Sequence, residues 1–308
     1  MITYQKKRHS MAQVLGEMDP AVQKWFRSKF KDLTEPQAYA IPLIQEKGSV
    51  LISSPTGSGK TISAFLAIID RLYKLHREGK LEDKIYCVYV SPLKALANDI
   101  NRNLKEPLRE IGEVASELGV ERPQIRVAVR SGDTSTAERQ KMVRKPPHIF
   151  ITTPESLSLV LSTSKFIQRF QDVEYLIVDE IHDLCNSKRG TLLSLAVERL
   201  QHFVKRPMVR VGLSATQAPI EEVAKYLAGF EGGKVRDVQI VDIESTKGLD
   251  IAVVSPVEDL SKTPFEVAQT RMYQVLKRLI ESHKSTLVFT NTRSGTEHMV
   301  IKLKELGV

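Results

Sequence analysis

The stretch Val50-Leu51-Ile52-Ser53-Ser54-Pro55-Thr56-Gly57-Ser58-Gly59-Lys60-Thr61 decides how this sequence folds. An apolar, β-prone run leads into a turn of Gly and Ser residues, and an apolar segment with helical spacing follows Lys60-Thr61. Strand, glycine loop, Lys-Thr and helix in this order predict a loop whose backbone N–H groups surround phosphate oxygens. Gly57 and Gly59 permit the backbone conformations that such a loop needs. Ser54 stands where the motif has its first glycine, and we expect this small residue to fit.

The residues of this loop have distinct expected roles toward a nucleoside triphosphate. The helix that opens at Lys60 directs its positive dipole end at the phosphates. The Lys60 ammonium can reach the β- and γ-phosphates, and the Thr61 hydroxyl is a suitable Mg²⁺ ligand. The predicted contacts of the loop with the nucleotide are Pro55, Thr56, Gly57, Ser58, Gly59, Lys60 and Thr61.

An acidic pair, Asp179-Glu180, directly follows the predicted buried strand Val173–Val178. Two carboxylates at the end of a buried strand cost desolvation energy unless a positive group faces them. Mg²⁺ held by Thr61 would satisfy Asp179, and Glu180 could then orient or deprotonate the water that attacks the γ-phosphate. A solvated acidic turn is the alternative, and the phosphate loop in the same chain argues against it.

The helix before the phosphate loop carries a candidate for base recognition. Thr34 suits the N-cap of this helix, and Pro36 suits its first turn. Gln37 follows, and its amide offers one acceptor and two donors, enough to recognise an adenine edge. An exposed helical glutamine is the alternative, but the neighbouring phosphate loop favours adenine and therefore ATP. The preceding apolar pattern predicts one helix over residues 11–31.

Several other predicted strands end in polar turns that suit a nucleic-acid backbone. Parallel strands present N–H groups at their carboxyl ends, where ligands bind to α/β sheets. These turns contain Ser91, Pro92, Leu93 and Lys94, then Arg130, Ser131 and Gly132, and finally Thr152, Thr153, Pro154 and Ser156. Hydroxyl and amide groups there could hold phosphate and sugar without base readout. Structural turns and simple N-capping remain the alternatives, and Asp133 is expected to cap the helix that starts near Thr134.

Composition narrows the class of protein. The 308 residues carry a formal net charge of +8, which favours a polyanionic partner such as nucleic acid. No apolar run approaches the roughly 18 residues that span a bilayer, and the basic N-terminal residues lack the apolar core of a secretion signal. Cys87 and Cys185 have no metal-site spacing and fit a reducing compartment. These features predict a cytoplasmic protein without a membrane partner.

The order of elements predicts a parallel α/β sheet and then a second domain. Predicted strands end at residues 52, 90, 129, 152, 178, 213 and 241, and helical patterns lie between them. Residues 244–249 have linker composition. A strand at 249–254, a helix at 264–282, a strand at 286–290 and a helix from about Thr296 then begin a new series. The predicted domains are therefore residues 1–243 and 250–308.

Seven short motifs occur in a fixed order across nearly the whole chain. They are PQAYAIP, which contains Gln37, then SPTGSGKT, SPLKAL, TTPESL, DEIH, SAT and VFTNTR. In this order they resemble the first half of a superfamily 2 helicase core of the DExH type. The segments WFRSKF, SGDTS and DEIHDLCNSKRGTLLSLAVERL are similar to the Lhr, or large helicase-related, branch. The resemblance implies a RecA-like P-loop NTPase fold with helices on both faces of its sheet, plus the start of a second RecA-like domain.

The resemblance also implies roles for individual residues. Phe30 would stack near the adenine that Gln37 recognises, and Asp179 would bind Mg²⁺ through water. Glu180 would act as catalytic base, and His182 would couple the nucleotide state to Ser214 and Thr216. The residues implied to grip one nucleic-acid strand are Ser91 to Lys94, Arg130 to Asp133, Thr152 to Ser156, and Asn291, Thr292 and Arg293.

The implied activity is ATP-dependent translocation along single-stranded or branched nucleic acid, with separation of the duplex ahead. DNA over RNA and 3′-to-5′ movement are expected from the resemblance alone. A nucleotide- and nucleic-acid-binding module without turnover and a non-helicase superfamily 2 translocase remain the alternatives.

This sequence contains the first motif of the second domain but not the later arginine fingers that the resemblance to superfamily 2 helicases implies. Such a finger contributes roughly 10³–10⁵ in phosphoryl-transfer rate. We therefore expect this chain to bind nucleotide but to hydrolyse it poorly. The remainder of a longer helicase chain, with a complete second domain and a winged helix, is an expected partner.

Overall fold

The computed structural model describes residues 1–92, 100–215, 219–243 and 250–308. The chain divides into two compact units, Met1–Ser245 and Thr246–Val308. The first unit contains an eight-stranded sheet in which all neighbouring strands are parallel. Its strands are β1 (Ile2–Tyr4), β2 (Val50–Ser53), β3 (Cys87–Val90), β4 (Val127–Arg130), β5 (Ile149–Thr152), β6 (Tyr175–Val178), β7 (Val209–Ser214) and β10 (Val238–Asp242). The short strands β8 (Phe230–Glu231) and β9 (Lys234–Val235) form a separate antiparallel pair.

The register of the sheet aligns the carboxyl ends of its strands. The strand order is β1-β10-β2-β7-β6-β3-β5-β4. Val90 pairs with both Thr152 and Val178, and Thr152 pairs with Arg130. The turns that follow these strands therefore lie along one edge of the sheet, where parallel α/β sheets bind their ligands.

Helices cover both faces of this sheet, which confirms the predicted α/β architecture. One face carries α1 (Met11–Gly16), α2 (Pro20–Lys29), α3 (Glu35–Gln45), α4 (Lys60–Arg77) and α5 (Glu106–Glu117). The other carries α6 (Thr136–Arg144), α7 (Pro154–Leu161), α8 (Ser164–Ile167), α9 (Ile181–Cys185), α10 (Lys188–Phe203) and α11 (Ile220–Ala228). Cys87 and Tyr89 of β3 enter the first core, whereas Val88 and Val90 enter the second. Because both faces are buried, the strands are nearly continuous apolar runs in the sequence.

The predicted single helix over residues 11–31 is in fact two helices, separated by residues 17–19. Asp19 caps α2 by accepting a hydrogen bond from the Ala21 N–H at 2.9 Å, and Pro20 occupies the first helical position. Proline suits the first position of a helix, whereas farther along it removes a hydrogen bond of the helix backbone. Asp19 also accepts hydrogen bonds from the Arg77 guanidinium, which ties α2 to the end of α4.

The prediction that Asp133 caps the next helix was wrong. α6 begins at Thr136, and Ser135 is its N-cap. The Ser135 hydroxyl accepts from the Glu138 N–H at 3.3 Å, and the Glu138 carboxylate accepts from the Ser135 N–H at 3.0 Å. This reciprocal Ser-x-x-Glu arrangement satisfies two backbone donors, so it fixes the helix start more strongly than a single Asp cap does.

The second unit contains α12 (Phe265–Ser282) and α13 (Arg293–Glu305). The strands predicted at 249–254 and 286–290 do not form among residues 250–308 of the described chain. A strand exists only with a ladder partner, and without one the apolar residues of these segments face outward. Val253 is 100% exposed and Phe289 is 89% exposed. Residues 244–249, the predicted linker, lie outside the described residues, so the extent of the second domain stays a prediction.

Across the described ranges of both units, none of the helices combines the length and apolar character that crossing a bilayer requires.

Candidate nucleotide and nucleic-acid site

The phosphate loop joins β2 to α4 through backbone conformations that glycine adopts easily. Gly57 has φ 78° and Gly59 has φ 93°, both in the left-handed region. Gly59 is also the N-cap of α4, so the helix begins at Lys60. A Cβ atom at Gly59 would lie 3.1 Å from Thr34 Oγ1 and 3.2 Å from Gln37 Nε2. Gly59 is therefore required both for its conformation and for the close approach of α3.

The Lys60 ammonium folds back onto this loop and faces two carboxylates. Its Nζ donates to the carbonyl oxygen of Ser54 and, at 3.1 Å, to that of Pro55. Burial lowers the pKa of Lys60, while the charges of Glu180 and Asp179 act in the opposite direction. Lys60 is only 6% exposed. A buried cation held by backbone carbonyls can exchange these bonds for stronger ones to phosphate oxygens.

The two acidic residues after β6 are held in place by hydrogen bonds and by the backbone. The Tyr89 hydroxyl donates to Asp179 Oδ2, and the Glu180 N–H donates to Asp179 Oδ1 at 2.9 Å. Glu180 has φ 45° and ψ 43°, a left-handed conformation that is costly for a residue other than glycine. Burial and the Asp179 charge raise the pKa of Glu180. A carboxylate with a raised pKa is a better proton acceptor.

His182 connects the acidic turn to the end of β7. Its Nδ1 lies 3.4 Å from Ser214 Oγ and accepts a hydrogen bond from the Ala215 N–H at 3.2 Å. The same nitrogen is 3.4 Å from Glu180 Oε2. The arrangement places His182 between the acidic pair and the Ser214 turn. Thr216, the other predicted partner, lies outside the described residues.

The phosphate loop and the acidic pair line one cleft of about 710 Å³. Among the predicted nucleotide and metal contacts, the lining residues are Phe30, Gln37, Thr56, Gly57, Gly59, Lys60, Thr61, Asp179 and Glu180. Pro55 and Ser58 support the loop instead. The Pro55 carbonyl accepts from Lys60, and the Ser58 hydroxyl lies 2.7 Å from that of Ser54. A cleft of this volume is in the range of small-molecule and cofactor sites.

Gln37 and Phe30 line the cleft and also have structural partners. Gln37 Oε1 accepts from the Thr34 N–H at 2.9 Å, which completes the capping box of α3. Phe30 is the C-cap of α2, and its ring centroid lies 5.9 Å from that of Trp25 and 4.8 Å from that of Phe26. The Gln37 oxygen can accept a second hydrogen bond beside the one from Thr34, so this oxygen and the NH₂ group can both face a base.

Several residues that line the cleft were not predicted from the sequence. Trp25 Nε1 and Lys29 Nζ donate to the two carboxylate oxygens of Glu110 at 2.7 and 2.8 Å, which joins α2 to α5. Arg102 and Asn103 lie in a π-helical turn that leads into α5, and both line the cleft. Such turns are frequent at functional sites. No local sequence pattern signals these contacts, because Glu110 is 85 residues from Trp25.

The turns predicted to grip nucleic acid follow adjacent strands of the sheet. β4, β5 and β3 are neighbours, and Thr152 Oγ1 donates to the Arg130 carbonyl oxygen at 2.9 Å. The Arg130 guanidinium lies 5.1 Å from the centre of the Phe166 ring. Burial, together with the charge of Arg139, lowers the pKa of Arg130. In the same turn, the Ser131 N–H donates to Thr134 Oγ1 at 2.9 Å.

Helix capping occupies the hydroxyl groups of the turn after β5. Thr153 is the N-cap of α7 and accepts from the Ser156 N–H at 3.3 Å, and Pro154 takes the first helical position. The Thr153 hydroxyl also donates to Ser156 Oγ at 3.2 Å. In the neighbouring turn, the Ser91 N–H donates to the Thr152 carbonyl oxygen at 3.1 Å. The Thr153 side chain is partly exposed and can still meet a ligand, whereas the side chains of Ser91, Thr152 and Ser156 are buried, so their contact with nucleic acid stays a prediction.

The remaining predicted nucleic-acid contacts lie either outside the described residues or in the second unit. Leu93 and Lys94 lie outside the described residues. In the second unit, Thr292 caps α13 by accepting from the Gly295 N–H at 3.0 Å, and Asn291 precedes this cap. The Arg293 side chain is 94% exposed, with Nε 3.4 Å from a carboxylate oxygen of Glu297. Their role in nucleic-acid contact stays a prediction.

Residues 34–224, which span the phosphate loop and the acidic pair, match the DEAD/DEAH box helicase family. The chain belongs to this family. This DEAD/DEAH box helicase chain is 53% identical over 307 residues to "ATP-dependent helicase Lhr-Core" of Methanocaldococcus jannaschii, which covers 100% of the chain and 36% of that relative. It is also 53% identical over 306 residues to "ATP-dependent helicase Lhr-Core protein 2" of Thermococcus barophilus. That match covers 99% of this chain and 35% of the relative. The chain thus spans about a third of the length of these curated relatives.

A solved helicase structure has the same fold as this DEAD/DEAH box helicase chain. The chain is similar to Mycobacterium smegmatis helicase Lhr bound to ssDNA and AMP-PNP, with a TM-score of 0.81 and 39% identity. The match covers 96% of this chain and 36% of the other. These similarities confirm the RecA-like helicase fold and the resemblance to the Lhr branch. Family membership implies that the chain uses nucleotide.

Proposed function

We propose that this chain binds ATP with Mg²⁺ and forms the nucleotide-binding half of a helicase motor core. The observation that carries the proposal is the arrangement of Lys60, Asp179 and Glu180 around one cleft beside the glycine loop. A buried cation opposite two carboxylates suits a ligand that brings phosphates and a metal ion together. The Mycobacterium smegmatis relative bound AMP-PNP, which supports an adenine nucleotide.

The oxygen groups of the cleft fit Mg²⁺. The Thr61 hydroxyl and the Asp179 carboxylate line the same cleft, and Mg²⁺ prefers one or two such oxygen ligands together with waters and phosphates. When bound, the ion would supply neutralisation of charge on the β- and γ-phosphates. Lys60 would exchange its backbone carbonyls for phosphate oxygens. Glu180 lines the same cleft and would accept the proton of the attacking water.

The proposed path of the nucleic acid is the edge formed by the turns after β3, β4 and β5. Among the described residues of these turns, the Arg130 cation and the hydroxyl groups of Ser131 and Thr153 are only partly buried, and groups of this kind suit contact with phosphate and sugar. The net charge of +8 favours a polyanion, and contact without base readout suits a motor that must pass every base. The Mycobacterium smegmatis relative bound ssDNA, which supports DNA as the partner.

The activity of the longer protein is part of the proposal. We propose ATP-dependent translocation with 3′-to-5′ polarity and strand separation, in which the remainder of a second RecA-like domain and a winged helix take part. A cytoplasmic location completes this proposal. The alternative is a chain that binds nucleotide and nucleic acid without turnover.

Equilibrium binding of a fluorescent ATP analogue in Mg²⁺, alongside steady-state ATPase assays with and without oligo-dT, tests the proposal. We expect Lys60→Ala to weaken nucleotide binding at least tenfold, because a charge-assisted contact to phosphate is lost. We expect Glu180→Gln to retain binding and to abolish the residual hydrolysis. Unchanged nucleotide affinity in the Lys60 variant would overturn the proposed site. Hydrolysis at a helicase-like rate by the unaltered chain would overturn the binding-module interpretation.

A further inference from the structure

Arg189 joins two of the turns along the carboxyl edge of the sheet. It is the second residue of α10, and its guanidinium reaches Glu155, the second residue of α7. Arg189 Nε donates to Glu155 Oε1 at 2.5 Å, and Nη2 donates to Glu155 Oε2 at 3.2 Å. Nη2 also donates to the carbonyl oxygen of Pro92 at 3.0 Å. One side chain thus holds the turn after β3 and the turn after β5 at a fixed separation.

The geometry of these contacts matters more than their contribution to folding. The side chains of Arg189 and Glu155 are 44% and 46% exposed, and exposed ion pairs contribute little stability. A bidentate guanidinium–carboxylate pair instead fixes the relative orientation of its two partners. Hydrogen bonding to Arg189 lowers the pKa of Glu155, so the pair stays ionised across the neutral range.

A tight corner between α9 and α10 links Arg189 to the acidic pair. Glu180 is the N-cap of α9, and the helix ends in a turn where the Ser187 hydroxyl donates to the Leu184 carbonyl oxygen at 2.9 Å. The Gly190 N–H donates back to Ser187 Oγ at 3.1 Å. A Cβ at Gly190 would lie 1.9 Å from the Leu184 oxygen, so the two helices meet without space between them. The end of α9 is therefore packed directly against the start of α10.

We propose that Arg189 is a positioning residue that couples the nucleotide site to the grip on single-stranded nucleic acid. It holds the Pro92 and Glu155 turns in the arrangement that contacts a strand, and it moves with α10 when Glu180 responds to nucleotide. This inference rests on the proposed function and adds to it a specific connection between its two sites. Arg189 itself contacts no substrate in this proposal.

Fluorescence anisotropy of labelled oligo-dT with the 308-residue chain, with and without AMP-PNP and Mg²⁺, tests the coupling. We expect Arg189→Ala to weaken oligo-dT binding in AMP-PNP roughly tenfold and to reduce the ratio of affinities with and without AMP-PNP. Arg189→Lys keeps the positive charge but cannot make the two parallel hydrogen bonds of the guanidinium, so it is expected to behave like the Ala variant. Glu155→Gln combined with Arg189→Ala is expected to be no weaker than Arg189→Ala alone, since both remove the same contact.

Salt dependence separates positioning from direct phosphate contact. Loss of a side chain that contacts phosphate lowers the slope of log affinity against log salt by about 1, whereas loss of a positioning residue leaves the slope unchanged. Arg199→Ala is the matched control. Arg199 lies on the same helix and bonds Ser162 at the far end of α7, with Nη1 3.1 Å from Oγ. This control is expected to bind oligo-dT like the unaltered chain.

The outcomes distinguish this inference from the proposed function. If the unaltered chain binds neither AMP-PNP nor oligo-dT, the proposed function falls and the inference falls with it. If the unaltered chain binds both and Arg189→Ala matches it, only the inference is overturned. A Lys variant that behaves like the unaltered chain, or a reduced salt slope in Arg189→Ala, would also overturn the positioning role. Melting temperatures of all variants show whether a loss of binding is due to a loss of fold. Arg189→Lys and Glu155→Gln keep most of each side chain, so they are a second control for folding.

Discussion

The hydroxyl of Tyr89 donates a hydrogen bond to Oδ2 of Asp179 across the boundary between β3 and β6. The Tyr89 ring is fixed beneath this contact, because it stacks on Phe65 of α4 with ring centroids 5.0 Å apart. The helix that begins in the phosphate loop, the central strand β3 and the acidic turn are therefore connected through one side chain. This connection orients the carboxylate that we propose as a ligand for Mg²⁺.

The first prediction concerns this orientation. Tyr89→Phe keeps the stacked ring and removes the hydrogen bond, so it should weaken Mg²⁺-dependent binding of an ATP analogue by about three- to tenfold. Binding measured in EDTA should change less, because Asp179 acts through the metal. Tyr86→Phe is the matched control. Its hydroxyl accepts from the Glu82 N–H at 3.0 Å at the opposite end of the strand, so this variant should bind like the unaltered chain. Equal loss in both Tyr variants would contradict the prediction.

A second prediction concerns pH and His148, which lies just before β5 and is buried. Its Nδ1 accepts a hydrogen bond from the Arg126 N–H at 3.0 Å. Burial, followed by the charge of Arg126, lowers the pKa of His148 to about 4. The unfolded chain therefore binds a proton on this residue near pH 6.5, where the folded chain does not. Stability from the neutral imidazole is fully present above pH 6.5 and is lost as pH falls toward 4.

Urea unfolding at pH 7.5 and pH 5 measures this effect. Through His148, the free energy of unfolding should fall by about 2 kcal/mol between these two pH values. His148→Asn supplies an uncharged oxygen that can accept the same hydrogen bond, so its loss of stability over this range should be smaller by about that amount. An Asn variant with the same pH dependence as the unaltered chain would show that His148 does not titrate in this way.

A third prediction tests the corner between α9 and α10. Gly190→Ala places a Cβ against the Leu184 carbonyl oxygen, a backbone atom that cannot move aside without displacing the helix. We expect the free energy of unfolding to fall by about 3 kcal/mol. Gly132→Ala is the control, because a Cβ at Gly132 meets nothing within 4 Å. Urea unfolding that gives similar values for both variants would refute the tight corner.

Local patterns explain what the sequence could predict. The loop from Ser54 to Thr61, the N-cap at Thr34 and the acidic turn at Asp179 each depend on a few neighbouring residues, and each appears where the pattern placed it. The parallel sheet follows from the same logic, since buried strands alternate with helices. The site lies at the carboxyl edge because all of these strands run in one direction.

The parts that the sequence did not predict depend on partners far along the chain. Tyr89 is an ordinary residue of a buried strand until β6 lies beside it, and Arg189 is an ordinary helical cation until Glu155 faces it. β1 was missed because it has only three residues and is defined by pairing with β10, more than two hundred residues later. The strand predicted at 286–290 does not form, for the converse reason. Its apolar pattern is that of a strand, but no ladder partner lies beside it within the described residues 250–308.

The last prediction concerns base recognition, where Gln37 has two functions that a substitution can separate. Its Oε1 accepts from the Thr34 N–H, and its Nε2 lies beside the position of Gly59 at the cleft. Gln37→Glu keeps the acceptor, since Glu is equally suited to a capping box, but it lacks the NH₂ donor. Gln37→Ala loses both. If the amide spans the adenine edge, its NH₂ group donates to N7, which guanine also has, and its oxygen accepts from the N6 amine, which guanine lacks. The Glu variant should then keep its melting temperature and its preference for ATP over GTP but bind ATP more weakly, whereas the Ala variant should lose the preference.

Competition of ATP and GTP against a fluorescent ATP analogue, together with thermal unfolding, separates these cases. We expect the ratio of ATP to GTP affinity to fall about tenfold in the Ala variant, because it loses the acceptor for the N6 amine. The Glu variant loses only the donor, so its ATP affinity should fall while the ratio is kept. The melting temperature should fall only in the Ala variant, by a few degrees, because only that variant leaves a helix-terminal N–H without its partner. Unchanged ATP affinity in the Glu variant together with unchanged preference in the Ala variant would assign Gln37 to capping alone. Recognition of the base would then have to come from other residues that line the cleft, such as Arg102 and Asn103.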